Sequence, residues 1–341
     1  MASVEYLVNP AAAQAAWAAA LGRGCQHAPF DRLEWWSALH ELCLPDEQPL
    51  MALASEGEAR CALALMHRPG SGQLRSLANW YSFWARPVFA GGGEALLPAL
   101  ARDLARKARR ISLAPLDVAD ATTAAEAFAA AGWTVRADQA DVNHGIDLAG
   151  RSFAEYWAAR PGRLRETVRR KGGKGVVTLR IADRFDPADW ADYEAVYAQS
   201  WKPEEGSPAF LRRFAEAEGA AGTLRLGVAH IDGRPVAAQL WTVEHGTAYI
   251  HKLAHVEDAK THSPGTLLSH ALFAHAIGRD RVTTIDFGTG DDAYKRDWME
   301  QVHPMLRLDM HRPLDPRSWP HLVRNRLCGP GFPLAAVRHG G

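Results

Sequence analysis

A chain of 341 residues is too long for one ordinary hydrophobic core and predicts roughly two domains. Apolar residues make up 47% and charged residues 23%, the balance of a folded chain, and the formal net charge of zero excludes a global field toward nucleic acid or membranes. Cys25, Cys43, Cys61 and Cys328 form no CxxC, which points away from a zinc site or disulfide framework, and no run reaches the ~18 apolar residues of a membrane span.

The stretch PAAAQAAWAAALG at 10–22 has the length of a signal-peptide core. Glu5 precedes it, with no Lys or Arg, so an ordinary helix and a cytoplasmic location are expected. Asp31 is placed to cap a helix carrying Trp35, Trp36, Leu39 and Leu42. A hairpin is expected around Glu56-Gly57, then strand, loop and strand through LRSLANWYSFWARPVF. A glycine loop, helix and strand follow in AGGGEALLPALARDLARKARRISLAPLD. A helix at ATTAAEAFAAAG and a strand at GWTVRA complete a first unit. The expected boundary lies near Ala149-Gly150, giving domains at 1–149 and 150–312 and a basic tail at 313–341.

Ser152 and Glu155 form a capping box, and Pro161 opens a helix with six basic residues and one acidic between Arg163 and Lys174. A solvated helix face is the ordinary reading of such a run; it could also hold phosphates. Without interleaved aromatics it is no RNA-stacking platform, so no specific nucleic acid is expected. Asp186-Pro187 starts a helix bearing Trp190, Tyr193, Val196 and Tyr197, and another is expected near Phe210 to Glu218. TLRLGVAHIDG, RPVAAQLWTVEHG and TAYIHKLAHVEDA then read as three antiparallel strands, turning at Asp232-Gly233 and His245-Gly246.

The helix in KTHSPGTLLSHALFAHAIGRD has Ser263 as expected N-cap, Pro264 at N1, and Gly265 keeping the backbone open. Leu267, Leu268, Ala271 and Leu272 form its predicted buried stripe. The stretch 282–299, VTTIDFGTGDDAYKRDWM, reads as a buried strand (Val282, Ile285, Phe287), a bend at Gly288 and Gly290, and a helix. Asp291 and Asp292 suit that helix's start, and Tyr294, Lys295 and Trp298 its first turns. MLRLDMHR is a last strand. Gly93-Glu-Ala-Leu-Leu-Pro-Ala-Leu and Gly265-Thr-Leu-Leu-Ser-His-Ala-Leu each begin a helix after a bend, favouring two copies of one fold.

Residues 261–267 form a candidate anion site, because a helix start offers unpaired N–H groups and about half a unit of positive charge. It is neither a Walker loop nor a GxGxxG turn. His251 and His255 are four apart on a predicted strand, and His270 and His275 diverge on a helix. With no HExxH, no metal is expected. There is no GxSxG elbow and no cysteine beside a histidine, so nothing favours a covalent nucleophile.

The order helix, basic helix, three-strand meander, SPGTLL helix and DFGTGDDAYKRDW resembles the C-terminal half of the FemAB-like branch of the GNAT N-acetyltransferase superfamily. The first half is similar to the degenerate N-terminal copy of such tandem proteins. The resemblance implies an α/β (α+β) fold of tandem GNAT-like domains, each a mixed, mainly antiparallel twisted sheet flanked by helices. It implies acyl-CoA as co-substrate, its pyrophosphate on His262, Ser263, Pro264, Gly265, Thr266 and Leu267 and its pantetheine along Leu253 to Val256. THSPGT departs from the usual Q/R-x-x-G-x-G/A loop of simple acetyltransferases.

The expected reaction is direct attack of a primary amine on the acyl thioester. A base must take a proton from the ammonium, backbone N–H groups stabilise the oxyanion, and an acid assists the thiolate. His255 and Asp291 are the base candidates, Tyr294 the acid, Lys252 and Lys295 charge partners. The alternatives are aminoacyl transfer from aminoacyl-tRNA to a peptidoglycan precursor, supported by the basic run, and a non-catalytic exopolysaccharide accessory protein. Twelve tryptophans, among them Trp80, Trp84, Trp201 and Trp298 near predicted loops or helix starts, suggest an amphiphilic acceptor. Six arginines against two aspartates in 303–341 suggest peripheral contact with an anionic membrane. A sphingoid-like amine fits both, and the resemblance implies it, since some bacterial ceramide-forming N-acyltransferases belong to this branch.

Overall fold

The computed structural model describes residues 2–13, 15–68, 71–312 and 331–334. The chain forms two compact units, Met1–Val142 with His303–Gly341, and Asn143–Val302. The division therefore falls at two points, and not once near 149–150. The physical reason is that two long strands each begin in one unit and end in the other.

The first unit contains β1 (Ser3–Leu7), α1 (Ala15–Ala20), α2 (Leu33–Cys43), β2 (Gln48–Glu56), β3 (Ala59–Arg68), β4 (Gln73–Ser76), β5 (Val88–Ala90), α3 (Leu97–Leu104), β6 (Arg110–Leu116), α4 (Val118–Ala130) and most of β7 (Thr134–Asp147). The expected hairpin is β2–β3, in register from Gln48↔His67 to Glu56↔Ala59. α3 and α4 bury Leu97, Leu100, Leu104, Ala121, Ala124 and Phe128 against it. Asp31 is not a helix cap. α2 starts at Leu33 with no side-chain cap, and buried Asp31 accepts hydrogen bonds from Trp84 Nε1 and Arg86.

The second unit takes the end of β7 and continues with α5 (Phe153–Ala158), α6 (Gly162–Gly172), β8 (Thr178–Ala182), α7 (Pro187–Ala198), α8 (Pro208–Ala220), β9 (Leu224–Ile231), β10 (Arg234–Glu244), β11 (Thr247–His255), α9 (Pro264–Gly278), β12 (Thr284–Thr289) and α10 (Lys295–Trp298). β13 (Gln301–His311) then returns to the first unit and pairs with β6. The predicted tail at 313–341 lies outside the described residues, apart from 331–334.

The sheet of the second unit runs β7-β12-β11-β10-β9-β8. Every pairing is antiparallel except β11 with β12. The expected meander is β9–β10–β11. Both turns hold two residues at positive φ, Asp232 (51°) with Gly233 (79°) and His245 (47°) with Gly246 (79°), the conformation that matches hairpin twist. α7 and α8 cover one face and bury Trp190, Tyr193, Phe210 and Phe214. α9 covers the other with Leu267, Leu268, Leu272 and Phe273. Gly227 on β9 allows that approach: a Cβ there would lie 2.9 Å from Leu272 Cδ1 and 3.0 Å from Leu268 Cδ1. The fold is thus mixed α/β, with a mainly antiparallel sheet between helices. Among the described residues, no helix is long and apolar enough to cross a membrane.

Candidate active site

The organising feature is the place where two parallel strands part. β11 and β12 are in register from Thr247↔Thr284 to Tyr249↔Asp286, and there the pairing stops. β11 continues to His255 on β10 alone, which leaves its other edge beyond Tyr249 with no strand partner among the described residues. The register also slips between Leu240↔Lys252 and Trp241↔Ile250, making His251 the extra residue of a β-bulge. His251 and Lys252 consequently turn to the same face. His251 Nε2 lies 2.8 Å from Thr242 Oγ1 and its ring meets Phe214 of α8 edge-on at 4.9 Å. Burial pushes the His251 imidazole down to about 3, so it stays neutral at physiological pH.

On the opposite face lies the start of α9. Ser263 stands at the expected N-cap position, in the left-handed conformation (φ 53°) and without a side-chain cap hydrogen bond. The first bond of the helix runs from Leu267 N–H to Ser263 O at 3.1 Å. Pro264 has no N–H, so Gly265 and Thr266 supply the open amides of this turn. Buried Gln239 of β10 anchors it, donating to Gly265 O at 3.2 Å and Ser269 Oγ at 2.7 Å. His255 Nδ1 lies 3.6 Å from where a Gly265 Cβ would stand, so strand end and helix start form one wall. Leu253 faces the same way, opposite Gln239. Val256 is buried and gives its N–H to Val236 O at 3.0 Å, so that amide is already used. His262 and Thr266 are half-buried. The basic helix α6 ends beside this turn, where Lys171 Nζ donates to Thr261 O and a Cβ on Gly172 would lie 3.6 Å from Leu267 Cδ2. Arg170 and Lys174, on either side of Lys171 in sequence, are exposed.

On the bulge face, α7, α8 and their linking loop enclose a cavity of about 530 Å³, floored by Trp190, Tyr193, Leu211 and Pro208 and rimmed by Glu194, Glu204, Glu205, Tyr197 and Lys202. Lys252 reaches it from β11, its Nζ 3.0 Å from Glu205 Oε1 and 5.6 Å from the centre of the Tyr197 ring. Burial lowers the Lys252 ammonium, and the Glu205 carboxylate opposes that shift. Burial also lowers Lys202, helped by the nearby Lys252 and opposed by Asp292 and Glu205. Burial lowers His255, whose Nε2 is 3.6 Å from Glu257 Oε1.

The bend after β12 does not open the expected long helix. Gly288 (φ 68°) and Gly290 (φ 99°) turn the chain, and α10 is a single turn beginning at Lys295, with Asp291 and Asp292 in the loop before it. Tyr294 is half-buried against Phe287; burial and its hydrogen bond with Asp292 raise its pKa. The two other residues predicted here are structural in placement. Lys295 is buried and turns inward, donating to Gly288 O at 3.2 Å and to Thr289 O. Asp291 is exposed; bonded to Arg296 at 2.7 Å and to His144 at 3.2 Å, it is held below the usual carboxylate range. Trp298 belongs to the core, stacked on Phe273 at 4.9 Å, and its carbonyl accepts from Tyr156 and Arg160.

The structure adds residues that the sequence reading passed over: Tyr197, Lys202, Glu205, Asn143 and Asp286. Asp286 stands at the point of parting, accepting from Gly288 N–H at 2.8 Å and Asn143 Nδ2 at 3.3 Å. Its one sequence signal is a carboxylate alternating with buried Ile285 and Phe287. For Asn143 there was none.

Residues 158–296 match the family profile described as an acetyltransferase (GNAT) domain. Among solved structures, FemX is similar at 12% identity and TM-score 0.57, over 81% of this chain and 90% of that one. The C-terminal domain of an Agrobacterium fabrum protein designated a lysylphosphatidylglycerol synthetase gives 14% and 0.56 over 89% and 92%. A tandem GNAT protein from the clavulanic acid biosynthesis pathway gives 15% and 0.51 over 92% and 100%. No curated protein sequence matches the chain. These are likenesses of fold, and the profile match falls on the segment that carries the cleft. Residues 158–296 thus carry the match to the acetyltransferase (GNAT) domain, and the fold of the chain is similar to that of FemX and of a tandem GNAT protein.

Proposed function

We propose that Asn143–Val302 transfers an acyl group from acyl-CoA to a primary amine by direct attack. The observation that carries this reading is the parting of β11 and β12 after Tyr249 and Asp286, with a helix start on one face and a carboxylate-rimmed cavity on the other. The pyrophosphate lies on the Gly265 and Thr266 amides, with His262, Ser263, Pro264 and Leu267 shaping the turn. Lys171, Arg170 and Lys174 supply the positive charge that phosphates need. Pantetheine runs along the unpaired edge of β11 past Leu253, and the amides at the His251 bulge receive the oxyanion. Lys252, fixed by Glu205, adds charge at the same place. His255 packs the donor side beside Gly265. Tyr294 protonates the leaving thiolate.

The first unit does not repeat this site. The bend before α3 is packed shut: a Cβ on Gly93 would lie 1.7 Å from Arg60 O. After β4, Tyr81 and Phe83 are buried, and Phe30 stacks on Phe83 at 4.7 Å.

The acceptor proposed is an amine with an apolar chain, its ammonium drawn in past the Glu204 and Glu205 carboxylates and its chain on Trp190, Tyr193 and Leu211. Of the four tryptophans singled out, only Trp201 stands exposed near this cavity. Trp298 is core, and Trp80 and Trp84 belong to the first unit. A sphingoid-like amine is the long end of this series. The exposed cations of α6 favour a second reading, an aminoacyl-tRNA donor.

Thermal unfolding with acetyl-, octanoyl- and palmitoyl-CoA tests the donor, since a ligand at 100 times its Kd adds about 2.7 kcal/mol. A matching series of primary amines, scored for amide product, tests the acceptor. Protection by aminoacyl-tRNA and by no acyl-CoA would replace this reading with the second one.

A further inference from the structure

Asp286 is a carboxylate placed where a fold has no use for one. It occupies the last paired position of β12, between buried Ile285 and Phe287, with its side chain on the face of Tyr249 across the ladder, the face that carries His251, Lys252 and the cavity. Among the described residues no cation lies within ion-pair distance of it; the nearest, Lys295, is occupied by the Gly288 and Thr289 carbonyls. A half-buried anion without a paired cation is costly, and such groups concentrate at functional sites.

Asn143 supplies the second observation. It is 7% exposed, its Nδ2 donates to Asp286 Oδ2, and its Oδ1 is buried with no hydrogen-bond partner among the described residues. The carboxylate can only accept, so chemistry fixes the amide this way round and leaves Oδ1 as an unmet acceptor. A carboxylate oxygen and an unmet amide oxygen side by side are what a donor-only group such as an alkylammonium requires.

We propose that Asp286, oriented by Asn143, is the catalytic base of the acyl transfer; this rests on the acyltransferase reading above. The acceptor R–NH3+ donates to Asp286 and Asn143 Oδ1, and one N–H bond breaks as its proton passes to the Asp286 carboxylate. The freed nitrogen lone pair forms the N–C bond to the thioester carbonyl, whose π electrons move onto oxygen. When that oxyanion collapses, the C–S bond breaks, and the second proton lost by nitrogen balances the one gained by the thiolate through Tyr294. The proton on Asp286 returns to solvent, so the sum is amide, free thiol and one H+.

Burial pushes the Asp286 carboxyl up to about 6, with Gly288 N–H, Asn143 and Lys295 holding it back. That value suits a base working near neutrality. His251 and Lys252 on this face do not compete: His251 is held neutral, and Lys252 is paired with Glu205.

The test is a pH profile of amide formation for the wild type, Asp286→Asn and Asn143→Ala, with acyl-CoA thermal protection measured alongside. The wild type should show an acid limb near pH 6. Asp286→Asn should lose about 10²–10⁴-fold in kcat and lose the limb while keeping its acyl-CoA protection. Asn143→Ala removes a bond that favours the carboxylate, so its limb should move to higher pH, a shift no merely structural residue would produce. Should Asp286→Asn fail to fold, the limb of Asn143→Ala decides alone. A wild type that is protected and active, with Asp286→Asn unchanged in kcat and limb or the Asn143→Ala limb unmoved, overturns this assignment and leaves the acyltransferase intact. A wild type neither protected nor active overturns both.

Discussion

Replacing Asp286 by Asn should make the protein more stable at neutral pH, although it removes a group placed in the chemistry. The native carboxyl holds its proton to about 6, against about 3.9 in an unfolded chain. Its contribution is therefore fully present below pH ~4 and is lost as pH rises through ~6. Two units correspond to about 3 kcal/mol; partial exposure to solvent reduces this to about 1–2 kcal/mol. Asn is isosteric and its carbonyl can still accept from Gly288 N–H. Asn143 can flip to accept from the new amide, so no hydrogen bond need be lost. Urea titrations at pH 4, 6 and 7.5 measure the difference between variant and wild type. It should be near zero at pH 4 and reach about 1–2 kcal/mol in favour of the variant at pH 7.5. A variant that is less stable at pH 7.5, or a difference that is flat across this range, would refute the claim that Asp286 carries an uncompensated burial cost.

Gly265→Glu should abolish protection by acyl-CoA, because it sets bulk and negative charge between His255 and the phosphates; unchanged protection would move the donor elsewhere. Tyr294→Phe should lower kcat about 10²–10⁴-fold with little change in acyl-CoA binding, and turnover at the wild-type rate would make Tyr294 a packing residue. Lys171→Ala with Lys174→Ala should weaken acyl-CoA binding most at low ionic strength, and equal loss at all salt concentrations would exclude a charge effect. Lys295→Met leaves the Gly288 and Thr289 carbonyls without their donor and should cost about 2–5 kcal/mol of stability, read from chemical denaturation.

Local chemistry was legible from the residues in order. The Asp-Gly and His-Gly turns, the Ser152–Glu155 capping box and the Pro187 and Pro264 helix starts all stand where the sequence places them, because turn and cap energies depend on a few adjacent residues. The helix order and the three-strand meander follow from the same local preferences. What the sequence left open depends on pairing at long range. Asn143 meets Asp286 across 143 residues, and no periodicity announces it. Lys295, expected as a charge partner on the first turns of a helix, is instead turned inward onto the Gly288 and Thr289 carbonyls at the glycine bend. Asp291, expected as a base candidate at the helix start, is held by Arg296 and His144. The point where β11 and β12 part is likewise invisible in either strand alone, because it is set by the bulge at His251 and by β12 pairing with β7. The sequence determined which elements form; the register between them decided which carboxylate stands at the cleft.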